Sequence, residues 1–179
     1  MTATSLQTAR SNAADRANRS QPRVDHAAQA QSAKKAAPKP KPKGPGPLPH
    51  IAGLSSVQVR NAWAVVSTGH KMGINKRGQT IAMATALQES NLINYTHAVD
   101  HDSLGIFQQR PSTGWGTPGQ IMTPTYAARA FYRVLVQYRG SWGCLTCAAQ
   151  LVQRSAFPSA YAKHEGFANS IVNILNRRF

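Results

Sequence analysis

Residues 78–90, GQTIAMATALQES, constrain this chain more than any other segment. From position 81 to 87 every residue except Thr85 is apolar or small. A helix on a protein surface keeps a polar face. This one has almost none, so it belongs at the centre with other helices packed round it. The run closes on Gln88, Glu89 and Ser90 before Asn91 breaks it. An acid is a scarce residue here, because 21 Lys and Arg stand against six Asp and Glu. Glu89 is therefore the first side chain to question.

Helical periodicity continues on both sides. Ser55 and Ser56 can cap a helix whose apolar positions Val59, Ala62, Trp63, Val65 and Val66 recur at three- and four-residue steps. It should run to about Met72, with Gly73 as its stop. Pro124 suits the first turn of a helix over about 124–138, with Ala127, Ala130, Phe131, Val134 and Leu135 on one stripe. Further helices are expected over about 146–153 and 168–177, the latter led by a short piece near 159–163. Between them, 91–123 is polar and glycine-containing apart from an island, LGIFQQ. No period-two strand and no repeat is visible. The expected class is all-α or α-dominated.

Residues 1–50 differ in kind. Leu6, Val24 and Leu48 are their only aliphatics beyond Ala and Met1, and they end in AKKAAPKPKPKGPGPLP. Such a segment cannot bury enough surface to offset its ordering entropy. Alternating Lys and Pro favour an extended, self-repelling spacer. The expected division is a disordered basic tail over 1–50 and a folded domain over 51–179. The first thirty residues lack the apolar middle of a secretory signal. Their Ala, Ser and Arg superficially suggest a transit peptide but describe a tail equally well. No run is apolar and long enough to span a membrane.

The net charge of +15 points to polyanionic company: nucleic acid, an anionic membrane surface or a bacterial wall. Within the domain Arg60, Lys71, Arg110, Arg129 and Arg133 are scattered, and no base-reading helix appears, which disfavours nucleic acid. Cys144-x-x-Cys147 has no βαβ pattern around it, so it reads as a local disulfide or two packed thiols rather than a redox centre. The segment HAVDHD, 97–102, matches no zinc spacing, and neither metal nor cofactor is expected. The glycines of TGWGTPGQ lack the ending of a phosphate loop and read as a turn. Trp115 within it can stack on a sugar face or anchor the loop.

QES at 88–90, DSLGIFQQRPSTGWG at 102–116 and IMTPTYAARAFYRVL at 121–135 follow in order along the chain. That series resembles the soluble lytic transglycosylase family and its goose-type lysozyme relatives, over about 63–175. The family's Glu-Ser pair ending a buried helix matches Glu89-Ser90. Its Gly-Leu-Met-Gln-like segment and proline match Gly105-Ile106-Phe107-Gln108 and Pro111. Its Ala-Tyr-Asn segment has no clear equivalent, VQRSAF at 152–157 being nearest by spacing. Its later cleft tyrosine corresponds to Tyr161, which by itself reads first as a core side chain.

The resemblance implies a lysozyme-like domain that cleaves the β-1,4 bond between N-acetylmuramic acid and N-acetylglucosamine in peptidoglycan. Glu89 would be general acid, then base, leaving 1,6-anhydro ends without water. Ser90, Gly105, Phe107, Gln108, Gln109, Trp115 and Tyr161 would bind substrate or support the acid. Gly105 and Gln108 read equally well as a loop corner with a polar plug. Partners would be the glycan strands and, through the tail, the polyanionic wall, in an extracytoplasmic setting of bacterial or phage origin. Two alternatives stand beside it. One is a hydrolase using water, with Asp100 or Asp102 as second carboxylate. The other is a basic module that binds wall glycan or nucleic acid without cutting, Glu89 then being an ordinary helix-end residue.

Overall fold

The computed structural model describes residues 46–98, 101–155 and 159–179. The expected tail lies outside the described residues up to position 45. The molecule is helix-dominated. The described residues form no strand, only isolated bridges pairing Tyr95 with Gly105 and Leu104 with Gln109.

The central helix is where the sequence puts it. Helix α1 is Ser56–Lys71 and α2 is Lys76–Ser90. Every residue of α2 from Gly78 to Leu87 is buried. Thr85 hides its hydroxyl by donating to Ile81 O at 2.8 Å, so one polar atom in the core stays satisfied. Helix α2 begins two residues before the expected start, because Asn75 Oδ1 accepts the Gly78 N–H at 3.0 Å as an N-cap.

After α2 come α3, Pro118–Ile121; α4, Pro124–Leu135; α5, Leu145–Gln153; and α6, Glu165–Asn176. Helices α1, α4, α5 and α6 all pack on α2. Helix α4 stops three residues short of the expected end and continues as a 3-10 stretch, Val136–Ser141. The indole N–H of Trp142 folds back to donate to Leu135 O at 3.2 Å, ending the α-helical pattern there.

Long-range polar staples lock the packing. Arg77, near the start of α2, donates to Trp142 O at 2.7 Å and Gly143 O at 3.1 Å, and pairs with Glu165 at the start of α6. Glycine at position 78 lets the Trp142 ring sit against α2, where a Cβ would lie 2.7 Å from ring atoms. Cys144 and Cys147 form a disulfide across the first turn of α5. The C-terminal Phe179 ring stacks on Trp63 and on His70, and Arg178 donates to Pro47 O and Gly46 O. These bonds fasten residues 46 and 47, so ordered packing begins upstream of position 51. No helix among the described residues is long and apolar enough to cross a membrane.

Candidate active site

Glu89 occupies the last turn of α2 and is half-buried. The phenol of Tyr161 donates to its Oε1 at 2.8 Å, while the Tyr161 ring is fully buried. Burial raises the Glu89 pKa above the ordinary carboxylate value; hydrogen bonds from Tyr161 and Gln153 oppose the rise without cancelling it. Tyr161 is itself pushed far up, first by burial and then by the Glu89 charge, so it remains a proton-bearing donor at all working pH. The result is a carboxyl group biased toward its neutral form and fixed in one orientation. At the preceding residue, Gln88 Oε1 meets His164 Nε2 at 3.0 Å, tying the end of α2 to the chain before α6.

Glu89 opens into a groove of about 770 Å³. Ser103, Gln108 and Arg110 enter it from the loop after α2, and Trp115 from the turn that follows. Val134 comes from the end of α4, Tyr138 from the 3-10 stretch after it, and residues 151–155 from the end of α5. This volume lies within the range of small-molecule sites, about 300–1,000 Å³. Glu89 is the only carboxylate among the described residues lining it.

The loop after α2 is built against that acid. Ser90 is buried, and its hydroxyl donates to Ile106 O at 2.7 Å, with Ala86 O at 3.2 Å. It thereby fastens the end of α2 to the LGIFQQ island. Gly105 has φ +73°, and a Cβ there would lie 2.5 Å from Ile121 O. Its close backbone approach is thus to α3 rather than to the groove. Phe107 is fully buried and stacks on Phe131 with centroids 4.7 Å apart, so its ring belongs to the core. Gln109 is likewise buried, donating to Ala127 O at 3.2 Å. Of the expected set, Glu89, Gln108 and Trp115 line the groove, Tyr161 touches Glu89, and Ser90, Gly105, Phe107 and Gln109 form the frame behind. Gln108 Nε2 donates to Gly105 O at 2.9 Å, which orients its amide at the groove edge.

Asp102 accepts from Arg110 Nε at 2.7 Å, Ser112 N at 2.8 Å and Ser112 Oγ at 3.0 Å. These donors hold its pKa well below the usual carboxylate range, Arg110 contributing most. It is a loop-binding carboxylate and a poor base. Asp100, with Ala156 and Phe157 of the VQRSAF segment, lies outside the described residues. His97 meets Thr96 Oγ1 at 3.1 Å, and no group of three or more potential metal ligands occurs among the described residues. The contribution of Gln153 was not foreseen. Its Nε2 donates to Phe107 O at 2.8 Å, which places the amide between the core loop and Glu89. The only sequence signal was its place in the segment set apart by spacing.

No protein-family model matches the chain, and no curated protein matches it.

Proposed function

We propose that this protein is a peptidoglycan-cleaving glycosidase of lytic transglycosylase type, with Glu89 as its single catalytic carboxyl group. The observation carrying the proposal is a carboxyl, the only one among the described residues of a groove, half-buried there and hydrogen-bonded by a buried phenol. Glycosidic oxygen is a weak base, so its departure needs a proton donor positioned and protonated when substrate binds. Desolvation of Glu89 supplies that bias. The sequence resemblance supplies the rest of the reading. Glu89 gives its proton to the leaving O4 of N-acetylglucosamine as the C1–O4 bond breaks. Its carboxylate then takes the proton of the muramoyl 6-hydroxyl while O6 bonds to C1, closing a 1,6-anhydro ring and restoring the acid. No second carboxylate is required.

Three further features support the setting. The Cys144–Cys147 disulfide suits an oxidising, extracytoplasmic compartment. The net charge of +15 suits a polyanionic wall as partner. Trp115 at the groove offers an aromatic face to a sugar ring. A water-using hydrolase with Asp102 as base is less well supported, because Asp102 does not line the groove and its oxygens are taken up by Arg110 and Ser112, which makes it a weak base.

The test is release of soluble fragments from purified wall. Glu89→Gln should lower the rate at least about 100-fold, within the range for losing a general acid. Asp102→Asn should stay within about tenfold of wild type. Equal release by wild type and Glu89→Gln refutes the catalytic assignment and leaves a glycan-binding module.

A further inference from the structure

We infer that Arg154 is a specificity-determining residue of the groove, where its guanidinium reads a carboxylate carried by the glycan strand. The inference deepens the glycosidase reading and rests on it for the identity of the polymer.

Arg154 is the residue at which α5 stops. It sits in the left-handed region at φ 52° and ψ 40°, a conformation that is unfavourable for a non-glycine residue. Three bonds hold that corner in place. The Arg154 N–H donates to Gln150 O at 2.8 Å, Gln150 Nε2 donates to Ser155 O at 2.8 Å, and Gln153 Nε2 donates to Phe107 O at 2.8 Å. The strained backbone is thus fixed on both sides, and it presents Arg154 to the groove that contains Glu89.

The side chain is exposed and makes no ion pair or hydrogen bond with a described residue. The contrast with Arg110, the other arginine of the groove, is direct: Arg110 gives its Nε to Asp102. One guanidinium is neutralised by a partner in its own loop, and the other gives none of its donors to a described residue. A guanidinium fork matches a carboxylate in two parallel hydrogen bonds. A strand containing N-acetylmuramic acid carries such groups, either as the bare lactyl carboxylate or on an attached peptide. A polymer of N-acetylglucosamine alone carries none. Arg154 therefore separates the two kinds of strand by charge.

The test is equilibrium binding by the full chain carrying Glu89→Gln, so that no strand is cut, with and without Arg154→Gln. The probes are a neutral N-acetylglucosamine hexamer, a peptide-free strand bearing lactyl carboxylates, and the same strand with its peptides. Arg154→Gln should weaken binding of a carboxylate-bearing strand by about fivefold or more and leave the hexamer unchanged. Loss confined to the peptide-free strand assigns the lactyl carboxylate as the group read; loss confined to the peptide-bearing strand assigns the peptide. Arg129→Gln removes the same charge from an exposed site on α4 outside the groove and should change none of the three. Equal loss on all probes, no loss on either acidic strand, or no measurable binding of an acidic strand before substitution overturns the inference. Charge-selective binding by a protein that cuts no wall would retain Arg154's role and discard the glycosidase reading.

Discussion

Tyr161 serves the core and Glu89 with different atoms of one side chain. Its ring is buried among apolar residues, and its hydroxyl fixes Glu89. Tyr161→Phe keeps the ring and removes the donor. Because that hydrogen bond lowers the Glu89 pKa, its loss should move the carboxyl titration upward and slow turnover, at a stability cost of about 1 kcal/mol. Carboxyl-carbon NMR titration and a pH–rate profile read the two effects. Glu89 itself carries a linkage signature. Its folded pKa lies above the ordinary value of 4.5, so the folded state binds the proton more tightly and loses stability as pH rises through that range. Glu89→Gln, which cannot ionise, should therefore melt higher than wild type at pH 7 and show no such advantage at pH 3. Thermal unfolding at the two pH values checks this, and an advantage at pH 3 alone contradicts it. Glu89 drew notice as an acid ending an apolar helix in an acid-poor chain, and the motifs after it, more than that position alone, marked it. The structure places it half-buried at a groove. Its bond to Tyr161 was not legible, since the two lie 72 positions apart and no local pattern encodes the pairing.

At the scale of elements, the junction between α2 and the loop after it decides whether the acid is held in register. Ser90→Ala removes the donor to Ile106 O and leaves that buried carbonyl without it, costing about 1–3 kcal/mol. Gly105→Ala combines a left-handed φ with an overlap on Ile121 O. It should cost at least about 2 kcal/mol. Chemical denaturation measures both, and activity should fall further than stability because the loop positions Gln108 and Arg110. Periodicity located α1, α2, α4 and α5 to within a few residues. The misses have local causes. Helix α3 is a single turn announced by a capping box, in which the Thr117 side chain receives the Gln120 N–H, whereas TGWGTPGQ read only as a turn. The end of α4 depends on the Trp142 indole, a tertiary bond that sequence spacing does not reveal. Phe107 and Gln109 were expected to bind substrate or to support the acid; both are buried in the core, which leaves them the supporting place.

For the whole molecule, one buried helix organises four others, and Arg77, the Cys144–Cys147 disulfide and the Phe179 clamp close the shell. The surplus of positive charge acts on a different level from the groove. It should bind the intact chain to isolated wall with an affinity that falls as salt rises, equally for wild type and Glu89→Gln. A sedimentation assay across ionic strengths measures this, and salt-independent binding contradicts it. On the proposed reading, the groove acts on the wall polymer after that contact. Mass spectrometry of fragments released from purified peptidoglycan tests that step most directly. Wild type should release fragments ending in 1,6-anhydro-N-acetylmuramic acid, one water lighter than hydrolysis products, and Glu89→Gln should release none. Fragments with ordinary reducing ends, or anhydro ends produced equally by Glu89→Gln, contradict a lone glutamate acting as acid and then base.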